Sequence, residues 1–294
     1  MSSSHLLIGA TNASSGLSIR RITPVDLAQA LAAGWDDFAA MPSHAVFLCV
    51  IYPLLGLWLV SLTAGYSMLP LAFPLGAGFA LIGPFAAVGL YELSRRREAG
   101  LDTNSTHAFD LLNSPSLGAI LALGLLLMAL FLVWLAVAEA IYVANFGYAA
   151  PASIPQFVKD VFTTPAGRTL IVVGTGVGFL FAVAALTVGA ISFPLLLDRD
   201  VGAAVALLTS IRVVVTNPLT MALWGLIVAA LLVLGSLPFF LGLTVVMPVL
   251  GHATWHLYRR AVEPGGAPRA DFRPSIRASR SAADFPASLF PTRR

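Results

Sequence analysis

The sequence predicts an all-α, polytopic membrane helix bundle with six transmembrane helices in three hairpin repeats, amphipathic surface helices and both termini in the cytoplasm. Its composition gives the class, because 58% of the 294 residues are hydrophobic and only 11% are charged, whereas soluble domains carry about 25% charged residues. Six apolar stretches, each near the roughly 20 residues that a bilayer requires, give the number of spans. The placement of the basic residues gives the orientation.

The N-terminal segment, residues 1–22, is rich in Ser, Thr and Asn, and we expect it to be disordered. It has no basic region followed by an apolar core, so we expect no cleavable signal peptide, and the first span would act as the insertion signal. The single cysteine, Cys49, leaves no partner for an internal disulfide.

An amphipathic helix of about 16 residues is predicted next. Thr23 is expected at its N-cap, Pro24 in its first turn and Asp26 near the positive end of its dipole. The helix is too polar to span a membrane, so it should lie along the membrane surface or dock under the bundle. Its predicted apolar positions are Leu27, Leu31, Trp35 and Phe38, and its predicted polar positions are Asp26, Gln29, Asp36 and Asp37.

The six predicted spans follow in chain order. The fifth and sixth form one apolar run about twice as long as a single span, which we divide at a tight turn at residues 235–238. The approximate limits of the spans are 44–63, 69–92, 117–142, 169–197, 219–235 and 238–258.

The basic residues predict which way these spans run. Of the 17 Lys and Arg residues, all but Lys159 and Arg168 fall before the first span, after an even-numbered span or in the C-terminal tail. The positive-inside rule then places both termini in the cytoplasm, which is consistent with an even number of spans.

The membrane domain, residues 23–262, shows three similar units at about 23–98, 107–198 and 199–262. In the first and third units, an amphipathic stretch leads to a proline that starts a spanning hairpin, and a second proline lies at a fixed distance before the arginines that end it. All units would enter from the same side, so they would be parallel repeats about an axis along the membrane normal. The matching pairs are Pro42 with Pro218, Pro84 with Pro248 and Arg95 with Arg259.

Two segments lie outside the spans. The outer loop, about 143–167, contains a short amphipathic pattern that starts at Pro155 and predicts a helix on the outer membrane surface. The tail, residues 263–294, is rich in Pro, Gly, Ser, Ala and Arg, and we expect it to be disordered. Its arginines would either rest on anionic headgroups or form a solvated segment that serves only topology.

Three prolines, Pro84, Pro194 and Pro248, lie inside predicted spans and should kink their helices, because each removes a backbone hydrogen bond that lipid cannot replace. Gly174 and Gly178 form a small-residue face suited to close helix packing. These features fit ordinary packing and routine kinks, and they also fit a transport pathway built from broken helices.

A candidate polar cluster consists of His44, Glu92, His252 and His256, which are predicted, together with His107, at the same cytoplasmic level. The alternative is that these residues reach headgroups or water at the interface. Two histidines on one helix are too few to hold a metal, and a bis-His heme would need His44 as the second ligand. No nucleotide-binding, metalloprotease or nucleophile motif occurs in a suitable context, so we assign no catalytic, cofactor or metal residue.

A family resemblance follows from two segments. Leu31–Pro42, with its Gly34-Trp35 pair, precedes an apolar hairpin that ends in Tyr91–Arg97, and this arrangement resembles the DUF2189 family of bacterial integral membrane proteins over roughly residues 20–262. The resemblance implies a location in the bacterial inner membrane and supplies no site residues. Some members carry labels as cytochrome oxidase subunits, but this chain lacks the histidine pattern of a heme-copper catalytic subunit, so only an accessory role is compatible.

We therefore expect a non-enzymatic accessory or assembly subunit that contacts the lipid bilayer and binds other membrane proteins or itself, with a respiratory complex as one candidate partner. The arginines cluster at helix ends, which is a topology signal, and no nucleic acid partner is expected. The alternative is a small-solute or ion transporter that uses kinked helices 2, 4 and 6 around a polar cavity containing Glu92 or His256. An intramembrane enzyme is a third hypothesis.

Overall fold

The computed structural model describes residues 17–41, 69–104, 114–148 and 150–263, with the isolated positions 54, 56–58, 61, 107 and 112. Within these residues the protein is helical, apart from loops and one isolated β-bridge. A short 3-10 helix at Leu69–Leu71 precedes the second α-helix. The α-helices are α1 (Pro24–Ala40), α2 (Ala72–Ala86), α3 (Val88–Glu98), α4 (Leu117–Phe146), α5 (Ile154–Thr163), α6 (Pro165–Gly189), α7 (Ser192–Asp198), α8 (Gly202–Thr216), α9 (Pro218–Ser236) and α10 (Leu243–Ala261).

Three helical segments of the described chain are long and apolar enough to cross a membrane: Leu117–Phe146, Pro165–Asp198 and Pro218–Ser236. They coincide with the third, fourth and fifth predicted spans. The second predicted span corresponds to α2 and α3, and the sixth to α10, whose last turns carry arginines. The first predicted span lies outside the described residues except for single positions.

The prolines inside the predicted spans act differently from one another. Pro84 lies in the last turn of α2, and the chain turns at Ala87 before α3 begins. Pro194 lies in the first turns of α7, just after the interruption that separates α7 from α6. Pro248 lies inside α10, which continues past it without a break in helical assignment.

The predicted helix starts at α1 and α5 are confirmed. At α1, the backbone nitrogen and the hydroxyl of Thr23 donate to the Asp26 carboxylate at 2.8 and 2.7 Å, and Pro24 opens the helix. At α5, the Ser153 hydroxyl accepts a hydrogen bond from the backbone nitrogen of Gln156 at 3.3 Å, with Pro155 in the first turn.

Residues 17–23, which we name the N-terminal strap, are extended and hydrogen-bonded. The sequence predicts disorder through residue 22, but Ile19 pairs with Val262 as an antiparallel bridge, and the backbone nitrogen of Arg20 donates to the Ala261 carbonyl at 2.9 Å. Asn217 holds the strap from the other side, because its Oδ1 accepts from the Ile22 nitrogen at 2.8 Å and its Nδ2 donates to the Arg20 carbonyl at 3.1 Å. Side-chain and backbone partners at both edges therefore replace the expected disorder.

The core lies where α3, α7 and α10 pack against one another. The largest fully buried side chains include Tyr91 of α3, Phe193 of α7 and Trp255 of α10. The helix α1 packs along α10, and α8 packs against α7 and α6. The packing of α1 along α10 brings polar residues of α1, α3 and α10 together.

Candidate functional site

Helix α1 directs a carboxylate, that of Asp37, toward the protein interior. Its buried face has residues three and four apart, namely Leu27, Ala30, Gly34, Asp37 and Phe38. The sequence pattern predicts Asp37 on the polar face and Trp35 on the apolar face, and this prediction was wrong: Asp37 is 3% exposed and Trp35 is 53% exposed. The physical reason is Gly34, where a Cβ atom would lie 2.6 Å from the backbone nitrogen of Ala253, so this side of α1 is the one that approaches α10 closely.

Asp37 accepts hydrogen bonds from α3 and α10. Its Oδ2 lies 2.6 Å from Oγ of Ser94 and 2.9 Å from Nε2 of His256, and its Oδ1 pairs with the Arg97 guanidinium. Burial alone would raise the pKa of Asp37, but the hydrogen bonds from His256, Ser94 and Arg97 outweigh it and lower the pKa from 3.8 to about 2. Asp37 is therefore a carboxylate at neutral pH that joins three helices.

His252 extends this network one helical turn further along α10. Its Nδ1 lies 2.7 Å from Oγ of Ser94 and 4.0 Å from Oδ2 of Asp37, and the residue is 0% exposed. Because the Ser94 hydroxyl donates its single proton to the Asp37 carboxylate, Nδ1 of His252 is assigned as the nitrogen that carries a proton and donates to Ser94. The other nitrogen, Nε2, forms no hydrogen bond of ordinary geometry with another described residue.

Glu92 is fully buried and belongs to a separate ion pair. Arg95 donates to its two carboxylate oxygens at 2.7 and 2.8 Å, and a nitrogen of Arg96 lies 3.8 Å away. This two-point contact lies within α3, and within the described residues no hydrogen bond links Glu92 to either histidine. The carboxylate is neutralised by its own helix.

Two more acids tie α10 to its neighbours. Oδ2 of Asp198 accepts a hydrogen bond from the Tyr258 hydroxyl at 2.8 Å and lies 3.5 Å from the Arg259 guanidinium. Glu98 accepts from the Trp255 indole nitrogen at 2.9 Å and from Nε of Arg259 at 3.0 Å. Arg259 therefore bridges α3 and α7, and the polar groups form a continuous layer at the arginine-rich end of the bundle.

The structure brings together part of the predicted cluster. His252 and His256 lie in one network, Glu92 is paired elsewhere, and His44 lies outside the described residues. Sequence analysis missed Asp37 and Ser94 as members. The signal for Asp37 was available, because it continues the spacing of Leu27, Ala30 and Gly34 by three residues.

The arrangement is suited to holding helices together. Asp37 accepts from Ser94, Arg97 and His256, and His252 is bound to the same Ser94 hydroxyl. Among the described residues, no group of three or more His, Cys, Asp or Glu is placed to hold a metal ion. We name the residues Asp37, Ser94, Arg97, His252 and His256 the polar junction.

Comparison with known proteins agrees with this membrane architecture. The family model described as "Predicted integral membrane protein (DUF2189)" matches residues 72–198, which include α2 to α7. The resemblance to this family predicted from the sequence is thus confirmed over residues 72–198, and the protein is an integral membrane protein. No curated protein and no solved structure matches the chain.

Proposed function

We propose that this chain is a non-enzymatic accessory or assembly subunit that binds other membrane proteins, or a second copy of itself, through the outer face of α6. The observation that carries the proposal is the exposure of the segment Pro165–Asp198, because only 6% of the residues in its most apolar 18-residue stretch are buried. A membrane helix with so few buried residues has a large face available for lipid or for another helix.

One face of α6 packs against other helices of the same chain. A Cβ atom at Gly178 would lie 3.0 Å from the Trp134 indole, and one at Gly189 would lie 2.6 Å from the Pro84 ring. Gly174 does not share this role, since a Cβ atom there would meet nothing within 4 Å. Within the described chain, the predicted pair of Gly174 and Gly178 therefore does not form one interface.

The opposite face of α6 presents a row of exposed apolar residues with one glycine. Val172, Gly176, Leu180 and Val183 follow one another at helical spacing and are exposed. A Cβ atom at Gly176 would meet nothing within 4 Å, so the described chain does not require a glycine there. A glycine between large apolar residues on an outward face suits the close approach of another transmembrane helix.

The transporter alternative receives less support. It expects Glu92 or His256 to line a hydrated cavity between the even-numbered spans. Glu92 is instead 0% exposed and held by Arg95, and His256 is bonded to Asp37. Polar side chains that are hydrogen-bonded to one another favour a structural role over a role in lining a transport pathway.

The proposal includes the bacterial inner membrane and cytoplasmic termini. In support, the Ile19–Val262 bridge brings the two ends of the described domain to the same end of the bundle. Arg97 and Arg259 bond to acids in the polar layer at that end. Lys159 and Arg168 lie beyond the C-terminal end of α4, in α5 and at the start of α6. This separation is the one that the positive-inside rule favours.

The proposal also includes three parallel repeats. The surface helix of the first unit, α1, packs on the last helix of the third unit, α10, and the surface helix of the third unit, α8, packs on the last helices of the second. A threefold arrangement would give this cyclic order.

Site-specific photo-crosslinking in native membranes tests the subunit proposal. A photoreactive residue at Val172 should capture a protein of defined mass, whereas the same residue at Leu226, an exposed position on α9, should capture only lipid. Gly176→Leu should abolish the Val172 product. Gly76→Leu, at another open glycine on α2, is the matched control. Capture of lipid alone at Val172, with differently tagged copies failing to cross-link, would contradict the proposal.

A further inference from the structure

A small cavity opens between the N-terminal strap and α8. Its volume is about 80 Å³, and it is lined by Leu17, Ile19, Val205, Leu208, Thr209 and Arg212. The Thr209 hydroxyl donates to the Val205 carbonyl at 2.7 Å, so its proton is committed to the helix backbone. Four of the six lining residues are aliphatic, and the charge at the cavity is that of Arg212.

Arg212 differs from the arginines of the polar layer. Arg97 and Arg259 are bound to carboxylates, whereas Arg212 is exposed and forms no ion pair or hydrogen bond with another described residue. Its guanidinium is a planar donor suited to two-point binding of a phosphate. An unneutralised cation beside an apolar cavity attracts a ligand with an anionic head and a hydrocarbon tail.

The position of α8 indicates where that ligand is found. α8 ends one residue before α9, which has the length and composition of a membrane span. Leu208, Arg212 and Val215 share one outward face of α8 at helical spacing, and all are exposed. An exposed apolar stripe with one arginine, at the foot of a span, fits the boundary between headgroups and acyl chains.

We propose that this cavity is a binding site for an anionic phospholipid. Arg212 pairs with the lipid phosphate, and the apolar walls formed by Ile19, Val205 and Leu208 receive the first methylene groups of an acyl chain. The strap forms one wall, so bound lipid also contacts the N-terminal part of the membrane domain. The site is independent of the proposed interface on α6, which lies on a different helix.

The test uses the full chain, purified and delipidated, with native mass spectrometry to count bound lipid. Phosphatidylglycerol should bind more tightly than phosphatidylcholine, and Arg212→Gln should weaken phosphatidylglycerol binding about fivefold, as expected for one lost charge near a headgroup. Arg21→Gln removes the same charge from an exposed position outside the cavity and should have little effect. Leu208→Trp, which fills the cavity while keeping Arg212, should also weaken binding.

Several results would overturn the proposal. Equal losses for Arg212→Gln and Arg21→Gln would mean unspecific attraction to charge, and equal binding of the two lipids would remove the role of Arg212. If inorganic phosphate displaced the bound lipid as effectively as free lipid does, the cavity would be a phosphate site and not a lipid site. A photoreactive residue at Leu208 that captures residues 1–16 of the chain instead of lipid would show that the chain itself fills the cavity. Thermal unfolding of each variant must match the wild type, so that loss of folding is distinguished from loss of the site.

Discussion

The carboxylate of Asp37 lies 2.9 Å from Nε2 of His256, although the two residues are 219 positions apart in the chain. This hydrogen bond joins the first amphipathic helix to the last helix of the membrane domain. Ser94 and Arg97 of α3 bind the same carboxylate. The polar junction therefore holds α1, α3 and α10 together at one point.

Asp37→Asn should destabilise the protein. The change removes the charge that compensates Arg97 and weakens the hydrogen bonds from Ser94 and His256, so we expect a loss of about 3 kcal/mol, the low end of the cost of breaking a buried pair, because the Arg97 side chain is 41% exposed. Unfolding in mixed micelles measures the loss. Asp36→Asn is the matched control, since Asp36 is exposed on the same helix turn. Equal effects of the two variants would refute a special role for Asp37.

The same carboxylate should make stability depend on pH in acid. The pKa of Asp37 is lowered in the folded protein, from 3.8 to about 2, so the unfolded chain takes up the proton first as the pH falls. The contribution of Asp37 is fully present above about pH 4 and disappears as the pH falls toward 2. The stability difference between the wild type and Asp37→Asn should shrink over that interval. A difference that stays constant from pH 5 to pH 2 would contradict the proposed charge state.

Much of the helical architecture could be predicted from the sequence, because apolar length and proline or threonine caps are local signals. The helix starts at Pro24 and Ile154 and the apolar segments of α4, α6 and α9 all follow from such signals. The strap could not be predicted, because its order comes from Asn217 and Val262, far away in the sequence. The local composition predicts disorder there, but hydrogen bonds to residues distant in the sequence order the strap.

The candidate site could be predicted only in part. The spacing of His252 and His256 showed that they share a helix face, but it gave no information about which helix they meet. Glu92 was predicted beside them. Its carboxylate instead binds Arg95, which lies one turn away on the same helix, α3. Asp37 was missed because an acid on an amphipathic helix is normally assigned to the solvent face.

Gly34→Ala should separate α1 from α10. The new methyl group would lie 2.6 to 2.8 Å from the backbone and Cβ atoms of Ala253, which cannot move without shifting the helix. We expect a net destabilisation of about 1–3 kcal/mol from overpacking, despite the better helix propensity of alanine. Gly83→Ala is the control, because a Cβ atom there meets no atom of the described residues within 4 Å. A Gly34→Ala variant as stable as Gly83→Ala would show that α1 does not pack this closely.

Asn217→Leu should release the N-terminal strap. The side chain bonds to the Ile22 nitrogen and the Arg20 carbonyl, and the leucine would leave the buried Ile22 N–H without its partner at a cost of about 1–3 kcal/mol. Limited trypsin digestion reports the change, since Arg20 and Arg21 lie in the strap. Cleavage there should be faster in Asn217→Leu than in the wild type. Thr216→Ala, at the exposed neighbouring position, should leave the rate unchanged, and equal rates in all three proteins would contradict the role of Asn217.

Ser94 and His252 should be energetically coupled. Ser94→Ala removes the donor to Asp37 and the acceptor for Nδ1 of His252, so the imidazole would keep two buried nitrogens without partners. His252→Phe removes those polar groups while keeping an aromatic ring in the core. The serine substitution should therefore cost less in the His252→Phe background than in the wild type, with a coupling of about 1 kcal/mol or more for residues in one network. Unfolding free energies of the wild type, the two single variants and the double variant measure it. Strict additivity of the two single effects would mean that the 2.7 Å contact between Ser94 and His252 contributes nothing to stability. The junction would then depend on Asp37 and its other two donors, Arg97 and His256.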